Sequence, residues 1–282
     1  MAEATAPSTA SEYIVEHLTH FSNKKQVDII DFSVFNYDTI FWSIVTGVAA
    51  VLFMYVVARK ATAGVPGRTQ ALIELVVEMV EDQSKAIVKG DRRYVAPLAL
   101  TLFMWVLFMN CLDFLPVDWV AGANLLISSL GFHGHIPHHR VVPSADLNGT
   151  LGMSFGVLSL MVIYGIKEHK FSGFFGGLFT APFHAHGVMA IFLAPVNLLE
   201  NLLGFAAKSI SLGMRLFGNM YAGELVFMLI ALLGSTYTWW GIAMHGVLGA
   251  VWAVFHILIV LLQAFIFMML TLVYLGQARD GH

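Results

Sequence analysis

An all-α integral membrane protein is the fold class this sequence predicts, and three observations predict it. Of 282 residues, 58% are hydrophobic and only 12% are charged, about half the ~25% charged share of an ordinary soluble domain. Mean hydropathy is +0.76, so lipid must solvate much of the surface. Apolar runs long enough to cross a bilayer recur along the chain, and basic residues gather in particular connections between them. The formal net charge of -3 lacks the basic excess that a nucleic-acid partner would require. With Cys111 as the one cysteine, no intrachain disulfide can form.

The elements follow in order. Residues 1–39 read as an external N-terminal segment. Met1 to Ala10 is polar and has neither a basic region nor an apolar core, so a cleavable signal peptide is not expected there. Thr9 and Glu12 have capping-box spacing, with Ile14, Leu18 and Phe21 on one face behind them, which predicts a short surface helix. Asp28, Asp31 and Asp38 make an acidic approach to the first apolar run. Residues 40–171 read as a three-span membrane region. Ile40–Ala58 is the first span, at about 19 residues close to the bilayer requirement. After Arg59 and Lys60, Pro66 opens an amphipathic stretch: Leu72, Leu75, Val76, Met79 and Val80 lie on one side, with Glu74, Glu78, Glu81 and Asp82 around the rest. Tyr94–Leu115 is the second span. Pro116–Pro143 reads as a loop containing His133, His135, His138 and His139. Leu147–Ile166 is the third span, with Gly152 and Gly156 at helix-packing spacing.

Basic residues orient these spans. Arg59, Lys60, Arg68, Lys85, Lys89, Arg92 and Arg93 fall in 59–93, and Lys167 and Lys170 follow the third span, whereas 116–143 holds only Arg140. The positive-inside rule then puts 59–93 and 167–186 in the cytoplasm, and the N-terminus and the loop 116–146 outside.

Residues 172–282 read as a re-entrant segment followed by a long tilted hairpin. Residues 172–186 are rich in Gly and Phe, contain Pro182, and suggest a loop or re-entrant piece. Val188 to Leu233 offers no convincing loop; as one helix it would be roughly 70 Å long, against a hydrocarbon core of roughly 30 Å. Ile242–Gln277 raises the same problem at roughly 54 Å. Either a turn is hidden or both helices are strongly tilted, with 234–241 the turn between them. The expected architecture is three upright spanning helices, a short re-entrant or loop segment, and a C-terminal hairpin of two long tilted helices.

Glu200, Lys208, Arg215 and Glu224 interrupt this hairpin, and His245, His256 and Gln263 add polar groups on its second arm. A charge at mid-bilayer costs about 2.5–3.5 kcal/mol on insertion scales, so several of them require a reason. An ion-pair network that only fixes packing is the bland alternative to an ion pathway. Ser211, Arg215, Gly218 and Ala222 fall on one helical face, and Asn219 is one turn beyond Arg215. Arg215 thus rises from a stripe of small residues of the kind that lets another helix approach, within the chain or from outside it. Glu224 is nine residues further on, about 180° around the helix, and is not placed to pair with Arg215. His245, His256 and Gln263, spaced by 11 and 7, return to one face; that polar line can meet Glu224 and build a wet path. Glu224 and His256 can exchange protons, whereas an arginine does not deprotonate in proteins. Arg215 can hold a carboxylate ionised, and its own face offers none. A carboxylate from another subunit is the implied partner.

The run Ser209-Ile-Ser-Leu-Gly-Met-Arg-Leu-Phe-Gly-Asn-Met-Tyr-Ala-Gly-Glu-Leu225 resembles the signature of the a subunit of F-type rotary ATP synthases, in its proteobacterial form. Phe255-His-Ile-Leu-Ile-Val-Leu-Leu-Gln-Ala-Phe-Ile-Phe267 is similar to that family's final helix. Arg140-Val-Val-Pro-Ser-Ala-Asp-Leu-Asn148 and Phe35-Asn-Tyr-Asp38 match as well. The resemblance implies a non-catalytic stator in the bacterial inner membrane, beside a rotating ring of c subunits. A b-subunit peripheral stalk and, indirectly, a soluble catalytic sector would be its other partners. It implies no cofactor or metal. Protons would use one aqueous half-channel from outside and a second to the cytoplasm, with the C-terminus cytoplasmic. Arg215 would match the arginine that separates the half-channels and faces the ring carboxylate. Asn219, Glu224, His256 and Gln263 match polar positions of the outer path, and Asp38, Asp113, Asp118, Arg140 and Asp146 match outer polar positions. Lys208 stands where a basic residue is usual and Ser211 at a small polar position. Ser209 replaces a proline found in many relatives, Glu200 is one residue out of register with an acidic position, and Glu224 and His256 are exchanged in some branches, which suits a paired site.

Two other functions compete. A membrane-embedded metalloenzyme would use His184, His186 and the loop histidines, although His184 and His186 lack the neighbouring acid of a zinc-protease helix. A stand-alone proton channel would conduct without a ring.

Overall fold

The computed structural model describes residues 9–24, 33–90, 92–116, 119–129, 139–183, 188–236 and 238–280. Among them the elements are helical, apart from an isolated bridge between Ser22 and Asn36. The helices are α1 (Ala10–Leu18), α2 (Tyr37–Arg59), α3 (Arg68–Ile87), α4 (Val95–Cys111), α5 (Trp119–Ser129), α6 (Leu147–Thr180), α7 (Val188–Gly234) and α8 (Trp239–Asp280). Five helical segments are long and apolar enough to cross a membrane: Tyr37–Arg59, Val95–Phe114, Leu147–Thr180, Met189–Gly234 and Trp239–Arg279. The chain is an all-α integral membrane protein.

Local chemistry explains the helix ends. The Thr9 amide donates to Glu12 Oε2 at 3.2 Å and the Glu12 amide donates to Thr9 Oγ1 at 3.3 Å. This reciprocal capping box starts α1 where the spacing predicts it. α3 stops at Val88, and Gly90 takes φ 88°, a left-handed turn that favours glycine. At the start of α8, Thr238 Oγ1 accepts from the Gly241 amide at 3.1 Å, the N-cap bond of a new helix. A Cβ on Gly241 would lie 2.8 Å from that same oxygen, so the cap requires glycine there.

Two expectations are corrected. The stretch 116–143 is not simply a loop, because α5 occupies Trp119–Ser129 within it. Its apolar Leu125 and Leu126 are highly exposed, so a run of apolar residues too short to span still forms a helix at the surface. Of the two readings of 172–186, a loop or a re-entrant piece, a plain loop is excluded for 172–180, which are helical: α6 continues past a break at Lys170, whose φ 59° and ψ 162° are non-helical. Helix after the break is secured by α7. Asn197 Nδ2 donates to the Phe179 and Phe183 carbonyls at 3.0 and 3.1 Å, and Asn201 Nδ2 to the Leu178 and Ala181 carbonyls at 3.1 and 2.8 Å. These carbonyls include helix-end acceptors that would otherwise lack donors. Among the described residues, a Cβ on Gly152 or Gly156 would meet no atom within 4 Å, so the packing spacing of these two glycines is not used there.

No turn is hidden in the long C-terminal elements. α7 runs 47 residues with Pro195 inside it, and α8 runs 42. Helices of about 70 and about 63 Å exceed a hydrocarbon core of about 30 Å, so in a bilayer they must incline steeply or project from it.

The chain divides into two compact units. The first comprises Met1–Ala49, Leu107–Gly149 and Phe217–Leu262. Its interior is unusually polar for a membrane protein: Asp38, Thr39, Asn110, Asp113, Arg140, Ser144, Asp146 and His256 are all buried. The second comprises Ala50–Val106, Thr150–Leu216 and Gln263–His282. Its interior is mainly apolar, built on Val80, Phe103, Val106, Met161, Leu216, Phe267, Met268 and Leu272. Small residues set the helix spacing there. A Cβ on Gly213 would lie 3.0 Å from Ser154 Oγ and 3.1 Å from the Thr150 carbonyl oxygen. We therefore expect Gly213→Ala to destabilise the solubilised protein by about 1–3 kcal/mol through overpacking, while Gly152→Ala leaves its thermal midpoint in place. Equal midpoints for the two variants would overturn this assignment.

Candidate functional site

The polar interior of the first unit starts with two carboxylates whose bonding capacity is largely committed. Asp38 sits in the first turn of α2, where helix amides favour an anion. Its Oδ1 accepts from the Thr39 amide at 2.8 Å, and its Oδ2 from the amides of Phe21 and Arg140 at 3.0 and 3.1 Å. Asp146 Oδ2 accepts from Thr39 Oγ1 at 2.6 Å and Asn36 Nδ2 at 2.8 Å, while its Oδ1 accepts from the Asn148 amide at 2.9 Å. These bonds tie the N-terminal segment, the head of α2 and the approach to α6 together. They suit anchoring better than proton exchange.

The same anchors orient Arg140. Its backbone is held by Asp38, and its guanidinium forms an ion pair with Glu224 of α7. The pair is well buried, with the side chains 5% and 13% exposed. The guanidinium also lies over the Tyr221 ring, 5.7 Å from its centroid. Glu224 therefore has a charged partner within the chain, and it is Arg140.

His256 pairs with a different acid. Its Nε2 lies 2.6 Å from Asp113 Oδ2, at ion-pair distance but without an aligned hydrogen bond. The ring is fully buried and packs edge-on to Phe114 and Phe227. Gly223 lets it sit there, because a Cβ on Gly223 would lie 2.9 Å from His256 Nδ1. The expected Glu224–His256 pairing is thus replaced by two crossed pairs, Glu224 with Arg140 and His256 with Asp113. A small cavity of about 50 Å³, bordered by Asp113, Arg140, Glu224 and Trp119, joins the two pairs. It has room for a few water molecules. A larger cavity of about 800 Å³ is bordered by His20, Asn36, Arg140, Asp146 and Tyr221. Arg140 borders both.

The second unit holds Arg215. Gln263 is buried and donates through Nε2 to the Arg215 carbonyl oxygen at 3.3 Å, so it fixes backbone rather than the guanidinium. The Arg215 side chain is exposed, and among the described residues its guanidinium makes no hydrogen bond or ion pair. Ser211, Gly218, Asn219 and Ala222 of α7 are exposed too, and a Cβ on Gly218 would meet nothing within 4 Å. In the same unit Lys208 Nζ donates to Gln277 Oε1 at 3.0 Å and lies 5.8 Å from the Tyr274 ring centroid. Lys208 borders a cavity of about 200 Å³ together with Glu200, Asn201 and Pro182.

Two sequence expectations stand apart from these groups. His245 is exposed, with Nδ1 2.8 Å from the Ile230 carbonyl oxygen; this contact closes the α7–α8 turn. Asp118 lies outside the described residues. Sequence reasoning missed His20, Asn36, Thr39, Asn110 and Ser144. Asn110 had a signal: it is a lone amide in an apolar run, one helical turn before Asp113.

A family model described as ATP synthase A chain matches residues 40–276. The chain belongs to the ATP synthase A chain family. It is 51% identical over 293 residues to ATP synthase subunit a of Paracidovorax citrulli (strain AAC00-1), covering 100% of this chain and 99% of that protein. It is 50% identical over 290 residues to ATP synthase subunit a of Acidovorax sp. (strain JS42), with the same coverage. With ATP synthase subunit a of Psychrobacter cryohalolentis it shares 43% over 289 residues, or 96% of this chain and 97% of that one. As a member of the ATP synthase A chain family it is a proton-translocating component of the ATP synthase membrane sector.

Membership also bears on the metalloenzyme alternative. Among the described residues no three His, Cys, Asp or Glu side chains are grouped to hold a metal ion. His133, His135, His138, His184 and His186 lie outside the described residues.

Proposed function

We propose that this chain is the non-catalytic stator that conducts protons past a rotating c-subunit ring, through two aqueous half-channels in the bacterial inner membrane. The observation that carries this reading is Arg215: a charged side chain in a long apolar helix, exposed on a stripe of small residues and without an ion partner among the described residues. Such a charge is costly in lipid unless a carboxylate comes to it, and small neighbours let another helix bring one close. The ring supplies that carboxylate, and Arg215 keeps the two half-channels apart. An arginine suits that work because it stays charged and cannot pass a proton along.

The outer half-channel runs through the polar interior of the first unit. Glu224 and His256 exchange the protons, Arg140 and Asp113 hold them in place, and Asp38 and Asp146 anchor the frame. Buried amide atoms of Asn110 and the Ser144 hydroxyl have no protein partner among the described residues, which suits a path lined by water. Glu200 and Lys208 serve the cytoplasmic half-channel. The N-terminus and 116–146 face the periplasm, and 59–93 and the C-terminus face the cytoplasm. A b-subunit stalk holds the chain against the ring.

Glu224→Gln tests the outer path. It keeps the side-chain shape but removes the titrating group, so proton flux through membranes bearing the assembled complex should drop about 100-fold or more, the usual scale for losing an acid–base group. Flux equal to wild type at every pH would make Glu224 a packing residue and remove this assignment.

A further inference from the structure

We infer that His20, in the N-terminal segment, is a positioning residue that sets the Arg140 guanidinium between the two cavities and so governs proton access to Glu224. The inference rests on the reading of Glu224 as an outer-path proton carrier.

His20 bridges two groups of opposite charge. Its Nδ1 lies 3.3 Å from Asp38 Oδ2, and its Nε2 lies 3.1 Å from Arg140 Nη1. A guanidinium has only donors to offer. Nε2 must therefore be the acceptor, and the proton of a neutral ring sits on Nδ1, directed at Asp38. This arrangement serves both neighbours at once: Asp38 gains a donor, and one arm of Arg140 is occupied while the other pairs with Glu224. Arg140 borders the large cavity that His20 also borders and the small one that Glu224 borders. Whatever turns the guanidinium changes what separates them.

Protonating His20 removes the lone pair that Arg140 uses and sets two cations face to face. The charged and titratable groups around the imidazole are Asp38 from α2, Arg140 from the segment before α6, Glu224 and Tyr221 from α7, and Lys24 and Asp146 on the cavity wall. The latch is thus closed with a neutral His20 and open with a charged one, and the switch faces the side from which protons are drawn.

The experiment is gradient-driven ATP synthesis by membrane vesicles carrying the assembled complex. The outer-face pH is stepped from about 5 to about 8, the range over which histidine changes charge, at constant total driving force. Wild type, His20→Ala, His20→Gln and Glu224→Gln are compared. His20→Ala should slow synthesis at the alkaline end about threefold to tenfold, the worth of one hydrogen bond. Wild type should converge on it as the outer face is acidified. His20→Gln, whose Oε1 accepts from Arg140 but does not titrate, should recover most of the lost rate and flatten the profile. Parallel profiles for wild type and His20→Gln would overturn the inference, even if His20→Ala fails to assemble. A slow Glu224→Gln beside a His20→Ala that behaves as wild type would sink the inference alone; an unaffected Glu224→Gln would instead sink the reading beneath it.

Discussion

Arg215→Ala is expected to abolish ATP-driven acidification of vesicles carrying the assembled complex, while a passive proton leak appears. The loss should reach about 100-fold or more, the scale on which removing one preorganised charge-stabilising group acts. The exposed Arg215 side chain has no partner to lose among the described residues, so the substitution leaves no unpaired group behind in the chain. Assembly should survive, which separates a coupling defect from a folding defect. Arg215→Lys should also couple poorly, because lysine lacks the planar fork and can deprotonate when desolvated. A separator that gives up its proton ceases to separate. Acidification at the wild-type rate by an assembled Arg215→Ala complex would reduce Arg215 to a packing residue and remove the central claim.

Arg140→Leu is expected to have the second-largest effect, and of a different kind. It strips the partner from a buried Glu224 and leaves that carboxylate uncompensated, a change that costs about 3–5 kcal/mol in buried pairs. It also removes the group that His20 contacts. Both transport and the yield of assembled complex should fall. Adding Glu224→Leu removes both charges, and exchanging a buried pair for apolar side chains of similar volume is often close to neutral. The double variant should therefore regain assembly without regaining transport. Measuring complex yield and proton flux on the same membranes separates the two. If the double variant assembles no better than Arg140→Leu, the Arg140–Glu224 pair is not what Arg140 contributes.

Much of this was legible beforehand. Apolar runs bounded by Arg59, Lys60, Tyr94 and Leu147 mark the first three spans, because a bilayer core demands a length that few other environments demand. The Thr9–Glu12 capping box is a bond between residues three apart, so spacing alone reveals it. Arg215 stands out because a charge in a long apolar helix is costly anywhere along it. By contrast, α5 was hidden by its shortness and its setting in a polar loop, and the break at Lys170 carries no proline to announce it. Gly152 and Gly156 have packing spacing, but spacing cannot say that, among the described residues, a Cβ at either would meet no atom within 4 Å.

What the sequence by itself determined is the class of the protein, the places of its first three spans and the helical face on which Arg215 stands. These follow from period and length, which are local properties of the chain. The pairing of the buried charges belongs to the tertiary structure alone. Glu224 and Arg140 are 84 residues apart, Arg140 and His20 are 120, and His256 finds its acid in the turn Leu112–Phe114 that follows α4. No helical period links such positions. A buried charge is satisfied by whichever opposite group the fold carries to it, and that choice is made when helices distant in sequence pack side by side.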